Sequence, residues 1–219
     1  MELVRDASPV NRCLRSPRRQ PPVIGLRFPF SNPDPTVTSP TIEGSDLRYP
    51  VGPHVPPSTP LSVEARTDAI RTLAELPARF REAVSGLSAE QLDTPYRPGG
   101  WTVRQLVHHV PDSHLNAYIR FKLALTEEAP AVKTYEEARW AELPDSRETP
   151  VEVSLALLEA LQTRWVVLLR ALDTSDFARP FRHPEWGLVP IDRSLALYSW
   201  HSLHHTAHVT RLRERMGWR

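Results

Sequence analysis

Four of the nine histidines in this 219-residue chain, His201, His204, His205 and His208, fall within eight consecutive positions. On a helix, at about 100° per residue, His201, His204 and His208 share an arc of about 60° with Leu197 and Leu212, so they face inward with the core. Buried imidazoles lose hydration unless each finds a partner, and a dication satisfies several at once through their neutral nitrogen lone pairs. His204 and His208, four apart, can reach one ion. A third ligand must come from another segment, where His108, His109 and His114 are the candidates. Three protein ligands leave a coordination position for water, the pattern of a reactive site and not of a closed structural one. The run His204 to His208 has zincin spacing, but His205 stands where that chemistry needs its glutamate, which argues against a metalloprotease. His54, in a proline-rich stretch, and His183, in a loop, read as incidental.

The elements that must position these rings are helical. Ser62 precedes Glu64 and a run in which Ile70, Leu73 and Leu76 share one face, predicting a first helix to about residue 86, bent at Pro77. Thr102 and Gln105 form a capping box, and Val103, Leu106, Val107 and Val110 make the stripe of a second helix reaching about Thr126. Thr149, as N-cap, with Pro150 and Glu152 opens a third, carrying Leu155, Leu158, Trp165, Leu169 and Leu172. A fourth begins near Asp192 and is stopped by Gly217. No segment alternates as a strand should, although 177–191 has room for a short hairpin. Four long helices predict an all-α bundle.

Composition limits the rest. With 27 basic and 26 acidic residues there is no overall field to attract nucleic acid or an anionic membrane, and no apolar run approaches the roughly 20 residues of a membrane span. The single cysteine, Cys13, has no partner within the chain. With no secretory signal visible, a cytoplasmic location is expected. Thirteen of the 23 prolines lie in residues 1–60. Residues 1–46 are therefore expected to be a disordered extension, most simply explained by a mis-called upstream start, and 47–219 the folded domain. Six arginines against two acids in the first 27 residues suggest a targeting peptide, but the prolines exclude the amphipathic helix one needs.

The sequence resembles the DinB/YfiT-like family of metal-binding four-helix bundles, most closely its YfiT-type metal-dependent hydrolases. The resemblance covers residues 47–219. It is carried by LDTPYR at 92–97, GGWTVRQLVHH at 99–109, DSH at 112–114, YIRFKLALTE at 118–127, WAEL at 140–143, SLALL at 154–158 and WHSLHHTAH at 200–208, with YPVG at 49–52 resembling the family's opening. It implies a metal held by His109, His204 and His208. Helical periodicity alone ranks His114 nearest the centre of the second helix's stripe and His109 on its flank. Pro111, where relatives carry a helix former, frees the Val107 carbonyl and is expected to rotate the turn that holds His109.

An open tris-histidine site supports hydrolysis of a small substrate with metal-bound water as nucleophile, which is the leading expectation. A thiol S-transferase acting on a low-molecular-weight thiol, as in bacillithiol-transferase-like relatives, and a non-catalytic metal-binding stress protein are the alternatives. Imidazole ligands suit zinc first and nickel next. Asp112, Glu159, His201 and His205 are the candidate helpers. Trp101, Trp140, Trp165 and Trp200 read as core, Arg104 and Arg120 as a solvated face. A homodimer is what the resemblance implies.

Overall fold

Ser62 begins the first helix as its sequence requires, its hydroxyl accepting from the Ala65 amide at 3.2 Å. The computed structural model describes residues 46–58 and 60–219. In chain order these form α1 (Val63–Val84), α2 (Ala89–Leu92), α3 (Val103–Thr126), α4 (Glu137–Trp140), α5 (Pro144–Glu148), α6 (Val151–Arg170), a 3-10 turn (Asp176–Ala178), β1 (Pro180–His183), β2 (Gly187–Pro190) and α7 (Ile191–Met216). The expectation for residues 1–46 falls, but for Asp46, outside the described residues. None of the described helices is long and apolar enough to cross a membrane.

Thr102 and Gln105 close both halves of the capping box at the start of α3. Helices α1 and α3 run unbroken through Pro77 and Pro111. Gly217 ends α7 in the left-handed region, at φ 65°, where a Cβ would strain the backbone. Two expectations are corrected. Helix α6 starts at Val151 without a side-chain cap, and Thr149 instead offers its carbonyl to His108 Nε2 at 3.1 Å. His183 lies on β1, not in a loop, and stacks on Trp186 at 4.1 Å. The hairpin foreseen at 177–191 is present, with Phe181 paired to Val189.

Helices α1 and α3 each pack against both α6 and α7. One apolar cluster gathers Leu73 of α1, Phe121 of α3, Trp165 of α6 and Leu195 of α7; a second gathers Phe80, Leu106, Leu158 and Val209 of the same helices. Helices α1 and α7 pass from the first cluster to the second, whereas α3 and α6 pass from the second to the first. The order is thus up, down, down, up, and the parallel pair α3 and α6 needs a connection running back along the bundle, which residues 127–150 with α4 and α5 supply. A buried bidentate pair between Arg66 and Asp192, both contacts at 2.8 Å, ties the start of α1 to that of α7, and Asp192 also accepts from the Leu61 amide.

Between the two apolar clusters lies a polar layer. His109, Ser113 and His114 supply it from α3, Gln162 from α6, and His201, His204, His205 and His208 from α7, and all but His201 are buried. A polar layer at the heart of a bundle is costly unless its groups are partnered.

Candidate metal centre

Among the described residues, two groups of three imidazoles bring ligand nitrogens within 4.8 Å of one another: His109 with His201 and His205, and His204 with His205 and His208. His205 belongs to both. The set expected from the resemblance, His109 with His204 and His208, is not one of them. His109 meets α7 at the other i, i+4 pair, its ring centre 5.4 Å from that of His201 and 5.0 Å from that of His205. The reason is the facing of α7. His204 and His208 lie beneath Trp200 and Tyr96, stacked at 4.2 Å and 4.1 Å, and Tyr49 of the opening segment approaches His204. Trp200 is in turn fixed by donation from its Nε1 to the Gly52 carbonyl at 3.0 Å.

The donor set fits a cation. His201 Nε2 and His205 Nε2 face each other at 3.0 Å, and two nitrogens bound at about 2.0–2.1 Å to one zinc ion lie about 2.9–3.4 Å apart for angles between square and tetrahedral. His109 makes no side-chain hydrogen bond among the described residues, and Trp101 covers it at 4.7 Å. In the second group, His204 Nδ1, His205 Nδ1 and both nitrogens of His208 are buried without hydrogen-bond partners.

Burial depresses every one of these imidazoles. His109 and His208 fall to about 4 and His204 to about 3, while His201 and His205 lie well below the ordinary value. Neighbouring rings deepen the fall for His201, His204 and His205. The backbone at Leu47 and Arg48 approaches His208 and opposes its fall without reaching hydrogen-bonding geometry. All the rings are therefore neutral at pH 7, with lone pairs to offer.

The remaining candidates separate clearly. His108 is removed from the ligand set, its Nε2–H given to Thr149 and its Nδ1 accepting from Ser154 Oγ at 2.7 Å. His114, which periodicity placed at the stripe's centre, is wholly buried there and hydrogen-bonds to His201 Nδ1 at 3.2 Å. His205 is buried among the rings, not at the bundle's edge. Glu159 is exposed and pairs with Arg81. Asp112 is half-buried, and burial with the nearby charge of Asp145 raises its carboxyl to about 6. Trp165 is core as expected, Trp140 is exposed against that expectation, and Trp101 and Trp200 flank the histidines. Arg104 pairs with Asp93, and Arg120 donates to the Lys133 carbonyl. His54 packs beside Trp200. Sequence reasoning missed Gln162, although a polar residue in the apolar row of Leu155, Leu158, Trp165 and Leu169 was a visible signal.

The profile of the DinB superfamily matches residues 72–209. A Bacillus cereus (strain 03BB102) protein named "Putative metal-dependent hydrolase" is 52% identical over 174 residues, covering 80% of this chain and 99% of its own length. A Bacillus thuringiensis protein of the same description matches equally. Among solved structures, YfiT from Bacillus subtilis, described as "a probable metal-dependent hydrolase with an unusual four-helix bundle topology", superposes with a TM-score of 0.77 at 49% identity, over 80% of this chain and 100% of that one.

Proposed function

The chain belongs to the DinB superfamily, and from that membership we propose that it is a metal-dependent hydrolase of a small substrate, its cation held by His109 of α3 together with an i, i+4 pair of histidines on α7. The observation that carries the proposal is the convergence of imidazoles from two helices, His109 with His201 and His205 and, sharing His205, that ring with His204 and His208. When bound, a divalent cation such as zinc supplies a Lewis acid that polarises a substrate oxygen and acidifies water at neutral pH. Burial keeps these imidazoles unprotonated at pH 7, so they present lone pairs without first losing a proton. Trp101 lies over His109 and screens that side of the centre from solvent. Asp112, on α3 three positions after His109 and raised to about 6, takes or returns a proton at its carboxyl oxygen near neutral pH.

The test is zinc content and turnover on a panel of small esters and amides for single alanine variants. His109→Ala is expected to lose both, and full zinc in that variant would overturn the proposal. Complete loss in His204→Ala and His208→Ala, with His201→Ala unaffected, assigns the pair on α7 to His204 and His208, and the reverse pattern assigns it to His201 and His205. Loss of an electrophile only when a low-molecular-weight thiol is added would replace hydrolysis with S-transfer.

A further inference from the structure

A cleft of about 340 Å³ lies between the last turns of α7 and the segment that precedes α1, and its lining includes Asp46, Tyr96, His208, Arg211, Glu214 and Arg215. Tyr96 and His208, the buried members, stack on each other at 4.1 Å and form its inner end. His208 is 4% exposed, and both of its nitrogens are buried without a hydrogen-bond partner. Its ring belongs to the group formed with His204 and His205, so the cleft reaches the imidazole layer from outside. Ligand sites commonly enclose about 300–1,000 Å³, and a cleft at the lower end of that range takes a small molecule.

The charges along the walls do not cancel. Asp46 is matched by Arg48 at 2.7 Å and Glu214 by Arg211 at 2.9 Å. Two guanidiniums are left over. Arg215 donates from Nη2 to the Tyr96 carbonyl at 2.6 Å, and Arg97, whose guanidinium lies 5.5 Å from the Tyr96 ring centre, donates from Nη1 to the Pro98 carbonyl at 3.1 Å. Neither has a carboxylate partner among the described residues. The Arg97 Nε–H is buried with no partner at all, an arrangement that costs free energy until an acceptor arrives. Both charges are felt inside the cleft: after burial, Arg97 and Arg215 help to hold His208 at about 4, and Arg97 adds to Arg48 in holding Asp46 at about 2. A guanidinium offers its N–H donors in a planar fork that matches a carboxylate or a phosphate.

We infer that this cleft is an oxyanion subsite, in which Arg97 and Arg215 hold the carboxylate or phosphate of a small substrate while its reacting bond lies toward His208 and the imidazole layer. This names the substrate class of the hydrolase proposed above and rests on that reading. An uncharged substrate leaves the Arg97 Nε–H unpaired, so the cleft selects by charge.

The probes are succinate, methyl phosphate and the uncharged succinamide, titrated into the full chain in chelator and followed by 15N NMR of the arginine Nε–H groups. With the cation removed, attraction by the arginines is read apart from attraction by the metal. The better of the two anions is expected to bind at least about 10-fold tighter than succinamide and to shift the Arg97 Nε–H resonance, and it names the acid group. Arg97→Gln and Arg215→Gln are each expected to weaken that anion about 10-fold. Arg215→Gln also removes the contact to Tyr96, so if it fails to fold the decision falls to Arg97→Gln and to the unaltered chain. Equal affinity for all three probes in the unaltered chain, or undiminished anion binding in Arg97→Gln, overturns the inference. Turnover of para-nitrophenyl hydrogen succinate against para-nitrophenyl acetate by the zinc-loaded chain separates the two readings. A kcat/KM advantage for the acidic ester that Arg97→Gln removes supports both. Arginine-dependent anion binding without hydrolysis of either ester overturns the hydrolase and leaves the subsite standing. Hydrolysis of both esters at equal kcat/KM, with no preference for the anions in binding, overturns the subsite and leaves the hydrolase standing.

Discussion

Acid should unfold the cation-free protein abruptly, and the polar layer sets how abruptly. In the folded chain His109 and His208 titrate near 4, His114 and His204 near 3, and His201 and His205 well below the usual imidazole value, each chiefly because burial penalises the charged ring. In the unfolded chain all six return to about 6.5. As pH falls below that value the unfolded state binds protons that the folded state refuses, so stability is full above about pH 7 and is lost on the way down. Between pH 7 and pH 5 each ring costs about 2 kcal/mol, and the six together about 11 kcal/mol. Whether a ring titrates at 3 or 4 matters little, because either leaves it almost wholly neutral at pH 5. Asp112 runs the other way, since its carboxyl is raised to about 6 and the folded chain takes up that proton first. Solvent screens this half-exposed carboxyl, so it offsets less than about 1 kcal/mol over the same interval. A net loss of about 10 kcal/mol is comparable to the whole stability of a domain, about 5–15 kcal/mol. Urea unfolding followed by circular dichroism in chelator, at half-unit steps from pH 7 to pH 5, reads the slope directly. A change below about 3 kcal/mol over that range would show that the rings are not buried as neutral groups, and would refute the reasoning.

Two further substitutions probe the frame that holds the layer. Asp192→Asn leaves the buried Arg66 guanidinium without its carboxylate and is expected to cost about 3–5 kcal/mol in unfolding free energy, whereas the double change to Arg66→Met and Asp192→Leu should recover most of it. Trp165 is fully buried, edge-on to Phe121 at 5.0 Å and to His114 at 5.9 Å. Trp165→Ala should destabilise by about 3–5 kcal/mol, measured by thermal or denaturant unfolding, and an effect below about 1 kcal/mol would mean the helices close over the gap.

The four long helices were legible because each runs long enough for its apolar period to show, helped in α3 by the capping box at Thr102 and in α7 by the stop at Gly217. The short helices α4 and α5 were not. They have too few turns for a period to show, and they lie in the connection that the parallel pair α3 and α6 needs along the bundle. Sequence located the clustered imidazoles on the two helices that carry them, α3 and α7, but spacing does not choose between the two i, i+4 pairs on α7. That choice depends on which face of α7 turns toward His109, a tertiary quantity set by Trp200 and Tyr96 occupying the other face. Periodicity ranked His114 above His109 for a sound reason, since the stripe's centre is the most buried place, but a ligand must sit where two helices' rings converge.

The most direct measurement is the zinc bound per chain, by elemental analysis after dialysis, in the unaltered protein and in His109→Ala. The account predicts one tightly held equivalent in the first and none in the second, with the circular dichroism spectrum of both alike. Full zinc content in His109→Ala would contradict it, because no cation seated on α7 alone needs the ring that α3 brings.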